Sequence, residues 1–452
     1  MFPPFPEDEA LAVCGDMISQ LEDGILELRE LTCSSEERAG QGLMLGAAIC
    51  LDKNGKRIIL KTVSGIRREL RPAHGLHDPE SVYVPPIVGL DDINAAIKTN
   101  DLEIHRLTAE IKRLKALRKR SDGRFENPSE EETQLVMCRK HLTTKSLKKV
   151  YELYSFCCSD GKMRSLNSIC YQKLPPTGTG DCSAPKLLHY AFSHKLTIVS
   201  MAEVFYGGNT VNKIYGKSYP PCDERCALIL PAMLGLSVIY RDESIIVVNK
   251  PAGLLSVPGR GEDKQDCIVN RVRRLFPTCI AQPAVHRLDM ETSGLMVLAF
   301  NTEAHRRLSR QFEQGLVKKT YTALLDGKIS EKSGRMELYF RLDIENRPHQ
   351  IWDEINGKKA VTEWQNLGEE MYVSPEGTSR CVTRLLFTPL TGRTHQLRLA
   401  SADKHGFGIP IIGDSLYGTR TAGERLMLHA KTLEFAHPMT ERKMTFETTD
   451  EF

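Results

Sequence analysis

The sequence has no apolar run near the roughly 18 residues that a membrane-spanning helix needs, which argues against a helical span. Its first residues, Met1-Phe2-Pro3-Pro4-Phe5-Pro6-Glu7-Asp8, carry neither a basic n-region nor an apolar h-region, so no secretory signal is read there. An excess of charge of one sign is missing too. A net charge of +3 permits a nucleic-acid partner without arguing for one, because recognition depends on local patches. Nor is there a small-domain cysteine framework. The 13 cysteines are odd in number and scattered, as expected for reduced thiols in a cytoplasmic protein.

What is present is a chain of 452 residues, too long for one ordinary core, with 41% apolar and 26% charged residues. Two or three soluble domains follow from that length and composition. Residues 8–30 read as an amphipathic helix through Leu11, Met17, Leu21, Ile25 and Leu28. Two apolar runs, 43–51 and 58–60, flank Asp52-Lys53-Asn54-Gly55-Lys56, which is hairpin chemistry. Together with the closing Val84-Pro85-Pro86-Ile87 they make residues 1–90 a small α/β unit.

Residues 91–156 change character. Ile97, Ile104 and Ile111 recur every seven residues, with Leu107 and Leu114 three positions after the last two and Asn100 as the one polar member. That is an a/d seam, and a second helical pattern (Leu135, Leu142, Leu147, Val150, Leu153) follows a break at Asp122-Gly123 and Asn127-Pro128. An antiparallel, coiled-coil-like hairpin is expected, with a basic run from Lys112 to Arg124 read as a solvated helix face. Residues 157–234 form a cysteine-containing connecting region, in which Ser183-Ala184-Pro185 starts a helix. Cys222 and Cys226 have zinc-ligand spacing but no second close pair, so they read as ordinary thiols and no metal is expected.

From residue 235 the texture is that of an enzyme core. A β-branched strand, Ile245-Ile246-Val247-Val248, leads into the shaped loop Asn249-Lys250-Pro251-Ala252-Gly253-Leu254-Leu255-Ser256-Val257-Pro258-Gly259. Next comes Ala284-Val285-His286-Arg287-Leu288-Asp289-Met290-Glu291-Thr292-Ser293-Gly294-Leu295, which sets one carboxylate at the mouth of the strand Leu295 to Phe300. A carboxylate beside a cation at a strand end is either a salt-bridged turn or a reactive group kept ionised. A helix capped by Asn301 follows, then the strand around Lys319-Thr320-Tyr321. Thr391-Gly392-Arg393-Thr394-His395-Gln396-Leu397-Arg398 packs two arginines and a histidine into eight residues, and Leu428-His429-Ala430 and His437-Pro438 close the core.

These pieces, in this order and spacing, resemble the catalytic domain of the RluA-type family of RNA pseudouridine synthases over about residues 236–442. The resemblance implies an α+β fold for residues 235–452, with a mixed, mainly antiparallel central sheet, preceded by a mainly helical N-terminal region. It also implies isomerisation of uridine to its C-glycoside in structured RNA without metal or organic cofactor. Asp289 would act on the ribose, as nucleophile or as base at its 2′ carbon. By resemblance Arg393 would pair with Asp289, and Tyr321 would stack on uracil and assist loss of the C5 proton. Arg287 would fill the gap left by the flipped nucleotide. Thr292, Lys319, His395, Arg398 and Leu428 complete the expected substrate site, together with His286, whose main use is to support the loop.

Arg271, Arg273, Arg274, Arg306, Arg307, Arg310 and Lys318 are candidates for phosphate contacts. The S4-type RNA-binding module frequent in the family is not evident, which leaves large-subunit ribosomal RNA or the tRNA anticodon arm as the expected partner. The helical hairpin is a candidate protein contact. Two other functions are conceivable: a non-catalytic RNA-binding ribosome-assembly factor and an N-glycosidase that releases uracil. Intact Asp289, Tyr321 and Arg393 argue against the first. The lack of a second carboxylate suited to activate water argues against the other.

Overall fold

A computed structural model describes residues 5–31, 42–73, 80–118, 127–170, 174–222, 225–261, 264–450 and 452. The chain divides into two compact units, Met1–Gly235 and Leu236–Phe452. Among the described residues no helix is long and apolar enough to cross a membrane.

The first unit runs α1 (Asp8–Glu22), β1 (Leu26–Glu30), β2 (Leu43–Leu51), β3 (Arg57–Val63), β4 (Arg68–Pro72), β5 (Ser81–Tyr83), α2 (Leu90–Leu117), α3 (Glu130–Glu152), β6 (Ser155–Cys157), β7 (Met163–Ser165), α4 (Leu166–Ile169), α5 (Ser183–Ser193), β8 (Thr197–Tyr206) and α6 (Cys226–Met233). The first helix is shorter than its apolar spacing suggests. It stops at Glu22, Gly24 takes φ +69°, and Leu26–Glu30 extends to pair antiparallel with β4. Leu28 therefore lies on a strand, because glycine in the left-handed region ends the helix before the pattern does.

The hairpin around Asn54-Gly55 joins β2 and β3 in antiparallel register. On its other edge β2 pairs along its whole length with β8, which lies in the segment read as a connecting region. Residues 1–90 and 157–234 thus share one four-stranded sheet, β5-β3-β2-β8. Helix α5 packs on one face of it through Ala184, Leu187, Leu188 and Ala191, and α1 on the other through Ala10, Val13, Cys14 and Met17. Strand β2 is buried on both faces, which is why it reads as a continuous apolar run rather than an alternating one.

Helices α2 and α3 are antiparallel. Asn100 Nδ2 donates to Ser146 Oγ at 3.0 Å, and Arg118 Nε to Glu132 Oε2 at 2.7 Å, so later residues of one helix meet earlier residues of the other. The polar seam member is buried and satisfied by a serine, a pairing that fixes register at little cost. The expected break at Asp122-Gly123 and the end of the basic run lie outside the described residues.

The second unit contains β9 (Ser237–Arg241), β10 (Ile245–Lys250), α7 (Ile268–Leu275), β11 (Ser293–Ala299), α8 (Thr302–Glu313), β12 (Lys318–Leu325), β13 (Ser333–Leu342), β14 (Gln350–Trp352), β15 (Lys358–Val373), β16 (Ser379–Pro389), α9 (Gln396–Ala402), β17 (Leu428–Ala436) and β18 (Lys443–Glu447). Its strands form one sheet in the order β14-β13-β15-β16-β12-β17-β11-β10-β9, with β18 also on β17. The sheet is mixed and mainly antiparallel, and the unit is α+β. Its parallel pair is β11 with β17, registered Ser293 to His429 and Gly294 to Ala430.

That parallel pair sits mid-sheet and draws the Asp289 loop into the centre of the unit. Gly294 adopts φ +116°, and a Cβ there would lie 2.3 Å from the Ala430 carbonyl oxygen, so only glycine permits the approach. Substituting Gly294→Ala should cost at least about 2 kcal/mol of stability in denaturant unfolding, from backbone strain plus displacement of β17. An unchanged midpoint would show that the two strands do not approach this closely.

Candidate active site

The backbone of Leu288 to Met290 is held by the loop that follows β10. Ser256 Oγ donates to the Leu288 carbonyl at 2.7 Å and accepts the Leu288 N–H at 3.0 Å. Gly253 N–H donates to the Met290 carbonyl at 2.9 Å. Lys250, fully buried, donates from Nζ to the carbonyls of Pro251, Leu254 and Met290 at 2.9, 2.7 and 2.9 Å. Burial pushes its ammonium down to about 7, while the carboxylates of Asp289 and Glu291 pull the other way. On the far side of Asp289, its carbonyl accepts the N–H of Thr292 at 3.1 Å, and the buried Thr292 and Ser293 carry the chain into β11. Ser293 Oγ meets His429 Nδ1 at 2.9 Å, and His429 Nε2 meets Thr448 Oγ1 at 2.9 Å. The loop is therefore fixed at both ends, with the Asp289 side chain 21% exposed between them.

Opposite Asp289 stands the start of α9. The buried amide of Gln396 shapes that turn, accepting from Thr391 Oγ1 and Arg393 N–H and donating to the Val361 carbonyl and Thr362 Oγ1. His395 takes a left-handed backbone, φ 53°, a conformation non-glycine residues adopt at some cost. Its Nε2 lies 3.9 Å from Asp289 Oδ1 and its Nδ1 lies 2.8 Å from the Tyr417 hydroxyl. Gln350 N–H already donates to that hydroxyl oxygen at 2.8 Å, so the phenol proton is available to Nδ1. This assignment leaves the imidazole proton on Nε2, facing the carboxylate. Burial lowers the His395 pKa, with Asp289 opposing, and the ring is neutral near pH 7.

Arg398, buried at 3% exposure, is clamped by Asp414 through Nε to Oδ2 at 2.9 Å and Nη2 to Oδ1 at 2.5 Å. Its guanidinium lies over the Tyr417 ring and its charge acts on Asp289. The expected Asp289–Arg393 pair is not formed. Arg393 Nε donates instead to the Lys359 carbonyl at 3.0 Å, on the exposed side of the turn. The correction follows from helix geometry: residues before His395 are outside α9, whereas Arg398 lies on its first turn, facing inward.

Tyr321 lies mid-sheet on β12, between Phe387 of β16 and Ala430 of β17. Burial and the Asp289 charge raise its pKa, so the phenol keeps its proton. Arg287, two residues before Asp289, is exposed. Lys319 lies near the Gly392 turn with its ammonium 5.9 Å from the Phe312 ring centre, and burial lowers its pKa. Two expected substrate residues are used otherwise. His286 stacks on Phe312 at 4.5 Å and its Nε2 accepts the Val297 N–H at 3.1 Å, which makes it a support of β11. Leu428 is core, 3% exposed and paired with Ala323.

Of the phosphate candidates, Arg273, Arg274, Arg306 and Arg310 are exposed on α7 and α8. Arg271 pairs with Asp266 at 2.7 Å, and Arg306 and Arg307 share Glu303. Such exposed pairs are worth little and are readily exchanged for a phosphate. Around Asp289 no group of three or more His, Cys, Asp or Glu side chains has metal-binding spacing among the described residues; the group that does is Cys182, Cys222 and Cys226, in the first unit.

Residues 244–403 match the family described as RNA pseudouridylate synthase. A "Dual-specificity RNA pseudouridine synthase RluA" of Haemophilus ducreyi is 43% identical over 223 residues, covering 48% of this chain and 94% of that protein. The chain belongs to the RluA-type family of RNA pseudouridine synthases. Proteins of the same name from Haemophilus influenzae and Escherichia coli K12 are 41% and 40% identical over 220 residues, each covering 48% of this chain and 94% of the relative. The shared stretch is about the size of the second unit. As a pseudouridine synthase the protein is an isomerase acting on RNA.

Half-buried, neutral His286 makes stability depend on pH. Burial lowers its pKa from 6.5 to about 3, so the unfolded state takes up the proton first. Stability of the second unit should be full above pH 6.5 and fall as the pH drops toward 3. His286→Gln keeps an acceptor for Val297 but does not titrate, and should flatten that fall in thermal melts. An identical acid profile in the variant would contradict the assignment.

Proposed function

We propose that the second unit isomerises uridine to pseudouridine with Asp289 as the carboxylate acting directly on the ribose. What carries this reading is the convergence on one partly exposed carboxylate of a neutral His395 and a buried, Asp414-clamped Arg398. The positive charge of Arg398 acts on Asp289 from one side, and the imidazole N–H of His395 faces its carboxylate. Tyr321 presents a ring for the uracil and a protonated phenol for the later C5 step. Arg287, exposed beside Asp289, enters the space vacated when the target nucleotide leaves the stack. Arg273, Arg274, Arg306 and Arg310 supply phosphate contacts from α7 and α8.

The targets are uridines of large-subunit ribosomal RNA and of the tRNA anticodon arm. The dual specificity named for the relatives supports more than one RNA class. The first unit, which those relatives' matched length leaves uncovered, selects the RNA or a protein partner, with the α2–α3 hairpin as its contact surface. The enzyme works in the cytoplasm, in keeping with free cysteines throughout the described chain.

Asp289→Asn should abolish pseudouridine formation on a substrate RNA while leaving RNA affinity within a few fold. Modification at the normal rate by this variant would sink the assignment. The two arginines give a second test. Arg398→Lys keeps the charge but loses the two-point clamp on Asp414, and should lower kcat roughly a hundredfold. Arg393→Met should stay within a few fold of the parent, provided melting curves show both variants folded. The reverse order of effects would restore Arg393 as the partner of Asp289.

A further inference from the structure

The first unit holds three thiols that the uridine chemistry does not use. Cys182, Cys222 and Cys226 place their sulfurs within 4.8 Å of one another. Cys182 is the N-cap of α5 and Cys226 the first residue of α6, so the group joins two helix starts separated in sequence by β8. Tetrahedral zinc with bonds of about 2.3 Å sets its thiolates roughly 3.8 Å apart, a spacing this group accommodates. A disulfide would use two of the three and strand the last.

The surroundings suit thiolates. Both helix starts direct partial positive charge at the sulfurs. Nearby, Glu203 is buried at 3% exposure and caps α5 from outside by accepting the Ala184 N–H at 2.7 Å.

We propose that Cys182, Cys222 and Cys226 bind one zinc ion that ties the start of α5 to the start of α6. On binding, three S–H bonds are lost, three Zn–S bonds form and the protons pass to water. Among the described residues no His, Cys, Asp or Glu adds a fourth atom to the group, and Cys222 is exposed, which leaves the fourth position open to a further oxygen donor. The ion is structural: it closes the loop that carries β8 and fixes α5 against the sheet.

The test uses the full chain, purified under reducing conditions from zinc-supplemented cells and desalted. Elemental analysis should find about one zinc per chain, and replacement by cobalt should give a thiolate-to-metal charge-transfer band. Cys182→Ser, Cys222→Ser and Cys226→Ser should each lose the metal, whereas Cys138→Ser, which removes an exposed thiol on α3, should keep it. Chelation of the wild-type protein should lower its first melting transition. If a serine variant fails to fold, the cobalt spectrum of the wild type decides by itself. Wild-type protein without zinc and without the cobalt band, a disulfide within the group in the reduced preparation, or zinc retained by all three serine variants would each overturn the proposal.

Discussion

The catalytic unit depends on how a three-residue stretch of backbone, Leu288 to Met290, is tethered. Three donors and one acceptor from Lys250 and the loop after β10 hold it, among them the buried ammonium of Lys250. A buried cation is costly unless its hydrogen bonds are satisfied, and here three carbonyls satisfy it. Shifting the Asp289 loop would take the Met290 carbonyl from that ammonium, so the two loops hold each other in one arrangement. That is what gives the Asp289 side chain a fixed starting point while its carboxylate stays partly exposed.

The facing wall is built on a different principle. Arg398 and Asp414 are both almost wholly buried and bonded at two points, an arrangement worth more for orientation than for stability. Gln396 fixes the turn before them and forces His395 into a left-handed backbone, and Tyr417 sets the tautomer of its ring. The site thus separates its roles. Polar groups bonded to one another do the positioning, while the side chains of Asp289 and Arg287 keep solvent-facing surface.

Much of this was legible from the sequence because the relevant signals are local. The strands around residues 245–248 and 295–300, the Asn301-capped helix and the hairpin at Asn54-Gly55 follow from a β-branched run, an apolar run, a cap and turn chemistry. So does the cluster of motifs around Asp289. What escaped depends on contacts distant in sequence. Lys250 and Ser256 read as parts of a shaped loop, but their bonds to residues 288–290 appear only once the loops meet. Arg393 and Arg398 stand five positions apart, and the geometry of the turn at His395 alone decides which one faces Asp289. Asp414 and Tyr417 carried no pattern at all. In the first unit the same limit hid the pairing of β2 with β8 and the approach of Cys182 to Cys222 and Cys226. Gly24 was visible, but an apolar spacing that ran through it masked the end of α1.

The account's central claim is that this chain makes pseudouridine at particular uridines of cellular RNA. Nucleotide-resolution mapping of pseudouridine in total RNA, from cells with the gene, without it, and with it restored, tests that claim directly. The account predicts that a small set of uridines in ribosomal RNA and tRNA loses the modification with the gene and regains it on restoration. Identical maps in all three would contradict it.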